Sequence, residues 1–195
     1  MLPKQLQNTL ESQSKTFYSK YHEKIIDLFL FGSTVKGKEK PNDLDILLVF
    51  KETNDLKLVQ ELRKLLESKT KLKVEVTGKP YFELFKRTFV AREAVLTEAY
   101  SLINKISFSE GLGFKSMVMF NYKLKGKTKS ERMRFYYSLY GRGSIGMLER
   151  LKSVKYTDTI ILCPVENLIK MREFLESWDL DFKEIPLLIP IRLTN

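Results

Sequence analysis

Two short apolar runs constrain this chain more than any other feature. The first, Leu28-Phe29-Leu30-Phe31, stops at Gly32-Ser33. The second opens after a nine-residue spacer as Asp43-Leu44-Asp45-Ile46. Side chains of an extended strand alternate between its faces, so residues i and i+2 share one. Asp43 and Asp45 are therefore expected on one face, with Leu44 and Ile46 in a core on the other. Two adjacent carboxylates repel each other unless a cation lies between them. A polar strand end beside a loop does not explain why both acids share a face. Divalent metal binding does.

A third acid stands in Lys71-Leu72-Lys73-Val74-Glu75-Val76-Thr77, where Val74 and Val76 alternate with Glu75. Together these pieces resemble the nucleotidyltransferase superfamily that includes DNA polymerase β, and its minimal members in particular. The family signature is an apolar residue, Gly, Ser or Gly, a short spacer, and Asp-x-Asp in a strand. Here it reads Phe31-Gly32-Ser33, then Thr34 to Asn42, then Asp43-Leu44-Asp45. Glu75 stands where the minimal members more often carry Asp. The resemblance covers residues 20–110. It implies an α/β (α+β) fold, a polymerase β-like core of mixed sheet and flanking helices, followed by a small C-terminal α/β region.

The chemistry implied is in-line attack of a hydroxyl on the α-phosphate of an NTP, with pyrophosphate leaving. Asp43, Asp45 and Glu75 are then the catalytic and metal-binding groups. The cofactor is Mg²⁺ in a two-ion arrangement, with Mn²⁺ as a substitute, because two such ions can bind both the attacking and the leaving oxygens. Gly32 and Ser33 suit the phosphates, since a helix N-terminus favours anions. Lys36, Lys38 and Lys40 suit neutralisation of the triphosphate.

Composition narrows the remaining classes. A chain of 195 residues supports one good core or two small ones. With 43% hydrophobic and 30% charged residues it is globular rather than disordered. No apolar run approaches the ~20 residues that cross a bilayer, and Met1 to Tyr21 lacks the apolar segment of a signal peptide. No membrane partner is expected. Cys163 is the only cysteine, so no intrachain disulfide forms and a cytoplasmic location is expected. Its apolar setting, Ile160-Ile161-Leu162-Cys163-Pro164, reads as a buried hydrophobe. His22 is the single histidine, which excludes a multi-histidine zinc site.

Charge is concentrated. The net +10 is nearly all carried by residues 111–155, where 11 basic residues face only Glu131 and Glu149. A localised basic segment is the electrostatic footprint of a polyanion partner. Lys125, Lys127, Lys129, Arg132 and Arg142 are the expected nucleic-acid contacts.

Punctuation along the chain gives an outline. Residues 4–22 read as an amphipathic helix, residues 25–31 and 43–50 as strands, and Asn54 or Asp55 as the cap of a helix to Ser68. Residues 71–77 read as a third strand and residues 80–107 as helical throughout, in one piece or two. Two glycines in Ser109-Glu110-Gly111-Leu112-Gly113 mark a boundary, giving a nucleotidyltransferase domain over 1–110 and a basic α/β domain over 111–195. In the second, residues 114–124 read as a strand. Thr128 and Glu131 form a capping box for a helix to Tyr140 that places Met133, Tyr136, Tyr137 and Tyr140 on one face. Gly141 to Gly146 reads as a flexible basic loop and Tyr156 to Cys163 as one strand. Pro164 opens a further helix. Pro186 and Pro190 confine the last strand to a sheet edge.

Three functions fit. The first is metal-dependent transfer of a nucleoside monophosphate from an NTP to an RNA or DNA 3′ end. The second follows from the resemblance: an antitoxin-type minimal nucleotidyltransferase that modifies a HEPN-type toxin. The third is a catalytically silent nucleic-acid-binding module, against which the complete set of Asp43, Asp45 and Glu75 argues.

Overall fold

The computed structural model describes residues 3–38 and 41–193. Contacts divide the chain into two compact units, Met1–Gly113 and Phe114–Asn195.

The first unit runs α1 (Lys4–Tyr21), β1 (Ile25–Phe31), β2 (Asp43–Phe50), α2 (Leu56–Thr70), β3 (Lys73–Pro80), α3 (Arg92–Glu98), β4 (Tyr100–Ser101), β5 (Ile106–Ser107) and α4 (Phe108–Gly111). Its sheet has the order β3-β2-β1-β4-β5. β2 is antiparallel to β1 and parallel to β3. This is the mixed sheet with flanking helices expected from the sequence. A parallel pair needs a crossover, and α2 supplies it. The helix starts where the Asp55 carboxylate accepts from Lys57 N at 3.1 Å and Leu58 N at 3.4 Å. It stops at Lys71, whose φ of 61° is left-handed.

Alternation along the strands builds two apolar layers. Leu28, Leu30, Leu44, Ile46 and Leu48 pack with Leu10 and Phe17 of α1 and Leu58, Leu62 and Leu66 of α2. Phe29, Leu47 and Val49 face the other way, against Val95 and Ala99. β2 is thus apolar on both faces except at its head, where Asp43 and Asp45 interrupt the second face.

The helix expected over residues 80–107 is a correction. The segment holds a 3₁₀ turn over Tyr81–Phe85, then α3, then the short strands β4 and β5. Asp27 explains the break. It is 5% exposed, and a buried carboxylate requires donors. Ser101 Oγ at 2.8 Å, at the end of β4, and Asn104 Nδ2 at 2.9 Å, in the turn before β5, supply them. A continuous helix would remove that turn. Ser107 then caps α4 through a capping box with Glu110.

The second unit runs β6 (Phe114–Lys123), α5 (Lys129–Tyr140), α6 (Met147–Arg150), β7 (Val154–Thr157), β8 (Ile160–Pro164), α7 (Leu168–Ser177) and β9 (Asp181–Pro190). Its sheet, β7-β8-β6-β9, is antiparallel at every pairing. The central strand β6 with this order and two main helices makes the β-α-β-β-α-β ferredoxin-like arrangement. Val118, Phe120 and Tyr122 of β6 pack with Phe135 and Leu139 of α5 and Met171, Phe174 and Leu175 of α7. The capping box is present, with Glu131 N donating to Thr128 Oγ1 at 3.3 Å and Thr128 N to Glu131 Oε2 at 2.7 Å. β9 is an edge strand, as its prolines require.

One expectation fails here. Residues 156–163 are not one strand, because β7 and β8 form a hairpin that turns at Asp158-Thr159. That turn has no glycine, and Lys155 Nζ pairs with the Asp158 carboxylate at 2.6 Å across it. Residues 141–146 form a loop, as expected, and its two ends lie close together. Gly141 has φ +93°, and a Cβ there would meet Gly146 N at 2.9 Å. The two ends of the loop touch backbone to backbone, which only glycines permit. Cys163 is fully buried, and burial pushes its thiol up to about 12, far from a nucleophile's range. Among the described residues, no helix is long and apolar enough to cross a membrane.

Candidate active site

The register of β2 and β3 sets Asp43 beside Lys73 and Asp45 beside Glu75. Register partners in a sheet project to the same face. Asp43, Asp45, Glu75 and Lys73 therefore share one face, while Leu44 and Val74, paired between them, are fully buried on the other. Asp43 and Asp45 are half-buried and Glu75 is exposed.

Phe31 lies opposite Asp45, so the turn that follows β1 begins directly over that carboxylate. Gly32 has φ +82°, and a Cβ there would run into Asp45 Oδ2 and come within 3.3 Å of Asp45 Cγ. Backbone conformation and close approach both demand glycine. The turn is tied to β2 by buried Thr34, whose Oγ1 donates to the Asp43 carbonyl at 3.3 Å. Val35 N donates to Gly32 O at 3.2 Å and Lys38 N to Ser33 O at 3.4 Å.

Ser33 does not stand at the N-terminus of an α-helix. It lies inside a single 3₁₀ turn, Gly32–Thr34, whose N-terminal flank Phe31 makes no side-chain cap. A turn this short has no macrodipole to offer. Any phosphate contact here falls to individual amides and the Ser33 hydroxyl.

Electrostatics single out Asp45. Burial pushes its carboxyl above the usual range, Asp43 and then Glu75 push it further, and only Lys73 opposes them. Among the described residues no hydrogen bond reaches the Asp45 carboxylate. Three carboxylates on one face, one of them raised by the other two, fit a hard divalent cation with oxygen preference. Among the described residues no three acidic, histidine or cysteine side chains form a ready metal cage.

The basic loop is less free than its sequence suggests. Lys36 Nζ pairs with Glu98 Oε1 at 2.9 Å. Glu98 ends α3 with its side chain 13% exposed, and its Oε2 is buried with no hydrogen-bond partner among the described residues. Lys38 is half-buried and makes no ion pair among the described residues. Lys40 lies outside the described residues. No local pattern marks Glu98 or Thr34, which act from another element or through a backbone oxygen. Lys73 was in view two residues before Glu75, the spacing that places it on the acids' face.

In the second unit, Lys125, Lys129, Arg132 and Arg142 are exposed and Lys127 is half-buried. Arg132 Nε donates to the Lys127 carbonyl at 3.0 Å, and Lys127 Nζ lies 3.4 Å from Asp179 Oδ2. Lys125 and Lys129 make no ion pair among the described residues. The Arg142 guanidinium lies over the Tyr137 ring, 4.6 Å from its centroid. The shared face expected on α5 divides. Phe135 and Leu139 are its buried stripe, whereas Met133, Tyr137 and Tyr140 are exposed.

Residues 12–97 match the family model described as polymerase beta, nucleotidyltransferase. No curated protein matches the chain. A solved toxin–antitoxin structure with AMP-PNP is 25% identical, covering 47% of this chain and 71% of its own, with a TM-score of 0.38. A complex of tri-AMPylated Shewanella oneidensis HEPN toxin with MNT antitoxin is 23% identical, covering 49% and 71%, with a TM-score of 0.37.

Proposed function

We propose, on the match of residues 12–97 to the polymerase beta nucleotidyltransferase model, that this protein transfers a nucleoside monophosphate from an NTP to the 3′ hydroxyl of RNA or DNA. One observation carries the catalytic half of this reading: the Gly32 turn rests on Asp45, whose carboxyl is raised by burial and then by Asp43 and Glu75 on the same sheet face.

Balanced chemistry follows. The acceptor oxygen attacks the α-phosphorus, the bond from that phosphorus to the bridging oxygen breaks, and pyrophosphate leaves with the electron pair. Asp43 and Asp45 would hold Mg²⁺ or Mn²⁺, with Glu75 beside them. The bound metal supplies positive charge to the attacking and leaving oxygens. Glu75, exposed on the acids' face, accepts the acceptor's proton. Gly32 keeps the loop backbone close enough for the Ser33 hydroxyl and amide to meet the β- and γ-phosphates. Lys38 neutralises phosphate charge. Lys36 has two further N–H donors beyond the one given to Glu98 and can contribute a second contact.

The surplus of basic residues over 111–155 supports a nucleic-acid acceptor, with Lys125, Lys127, Lys129, Arg132 and Arg142 meeting its phosphates. A protein acceptor of the HEPN-toxin type is the second reading. It is favoured by Phe85 and Val90, which are 80% and 92% exposed and flank Lys86 and Arg87. Exposed apolar residues grouped in this way suit a protein surface.

The test is incubation with each NTP labelled at the α-phosphate, with Mg²⁺ or Mn²⁺ and with total RNA, DNA or protein. Label at a nucleic-acid 3′ terminus, released by a 3′ exonuclease, supports the first reading. Label in protein alone supports the second. NTP left intact under every condition overturns both and leaves a binding module.

A further inference from the structure

We infer that one flank of α5 is a stacking platform for unpaired bases, so that the acceptor bound by the second unit is a single strand; this rests on the nucleic-acid reading above. Met133, Tyr137 and Tyr140 follow i, i+4, i+7 spacing and form one line on the helix. They are 43%, 37% and 43% exposed. The helix does not need them for its own packing, since Phe135 and Leu139 already anchor it in the core.

The rings of this line are organised. Tyr140 is stacked with Tyr136, centroids 5.9 Å apart and planes 26° apart. Arg142 covers Tyr137, and Lys155 Nζ lies 5.6 Å from the Tyr140 centroid. Arg142 is held there by the closed Gly141–Gly146 loop, whose ends meet backbone to backbone. A guanidinium plane layered on a ring presents a flat cationic surface on which a base can stack. Around it Lys129, Arg132 and Arg134 are exposed, which supplies attraction for a phosphate backbone.

Charge alone would not choose between a duplex and a single strand. Rings do, because the faces of duplex bases are already stacked on one another and only unpaired bases can be splayed onto a side chain. The sheet of this unit offers no alternative platform on its central strands. Ferredoxin-like domains that read RNA on their sheet carry aromatic residues there. Here Val118, Phe120 and Tyr122 point into the helix-covered core. Met117, Met119 and Asn121 alternate with them on β6, across from Leu162 and Ile160 of β8.

The test is fluorescence anisotropy with a short 5′-labelled single strand of mixed sequence, as RNA and as DNA, against the same sequence as a blunt duplex. A parallel strand carries 2-aminopurine. Wild type should prefer the single strand and quench 2-aminopurine. Tyr137→Leu and Tyr140→Leu should each weaken single-strand binding by roughly five- to a hundredfold, while Tyr137→Phe and Tyr140→Phe retain it. Trp178 packs on Phe135 with centroids 5.7 Å apart, so unchanged tryptophan emission certifies that the core of each variant is intact. Equal binding of duplex and single strand, or leucine variants that bind like wild type, overturns the platform and leaves the acceptor reading standing. No nucleic-acid binding by wild type removes that reading and the platform with it, and moves the acceptor to protein.

Discussion

Asp27 and Asp45 both lie on the β1–β2 ladder, both are withdrawn from water, and burial pushes the carboxyl of each above its usual range. Their surroundings differ. Asp27 accepts from Leu28 N at 2.7 Å, from Ser101 Oγ at 2.8 Å and from Asn104 Nδ2 at 2.9 Å, and all three bonds favour its charged form. Asp45 accepts from nothing among the described residues and has Asp43 and Glu75 beside it instead. A fully satisfied buried carboxylate is an anchor that ties a turn to a strand. A half-buried carboxylate left among like charges destabilises the fold it sits in, and it makes sense where a bound cation supplies the missing counter-charge. The first is part of the scaffold; under the proposed function the second is part of the chemistry.

The largest effect expected from that contrast is Asp45→Asn. Transfer should fall by about 10³-fold, because charge stabilisation at the reacting phosphate is lost, while circular dichroism shows an intact fold. Near-wild-type turnover would break the contrast at once.

Next in size is Gly32→Ala. Its Cβ collides with Asp45 Oδ2 and its backbone at φ +82° is strained. A displaced turn should lower label transfer by about 10²-fold, with a small loss of thermal stability. The reverse weighting, a large loss of stability with full activity, would make the turn part of the scaffold.

Asp27→Ala should behave in the opposite sense. It strands the buried donors on Leu28 and Ser101, each costing about 1–3 kcal/mol when unmet, whereas exposed Asn104 can turn to water. Urea unfolding should show a loss of roughly 2–4 kcal/mol, with transfer per folded molecule unchanged.

The smallest effect concerns pH. Asp45 binds its proton more tightly in the folded state than in the unfolded chain. Its contribution to stability is therefore fully present below the unfolded carboxylate value and is lost as pH rises through the higher folded value. In metal-free protein, wild type should lose stability relative to Asp45→Asn across that window. A difference that is flat with pH would mean that Asp45 has the same surroundings folded and unfolded.

Much of this was legible in the sequence. Leu28 to Phe31 and Leu44 to Val49 announced β1 and β2 because alternation and apolar runs are local signals. The common face of Asp43, Asp45 and Glu75 followed from period-2 spacing, and the Thr128–Glu131 capping box and the edge position of β9 followed from residue types at fixed offsets. What was hidden depends on distant partners. The pairing of Lys36 with Glu98 joins residues far apart in the chain. The break of residues 80–107 into α3, β4 and β5 answers to Asp27, whose need for donors appears only once β1 is buried. The β7–β8 hairpin turns on Asp158 without the glycine that usually marks such a turn.

The most direct test of the central claim is one thermal-unfolding comparison of wild type and Asp45→Asn, each without metal and each with saturating Mn²⁺ and NTP. In the metal-free state Asp45→Asn should melt above wild type, because a destabilising charge has gone. Metal and NTP together should raise the midpoint of wild type, since ligands that bind only the folded state stabilise it, and should leave Asp45→Asn nearly unmoved. A variant that melts below wild type without metal, and gains as much as wild type with it, would contradict the account.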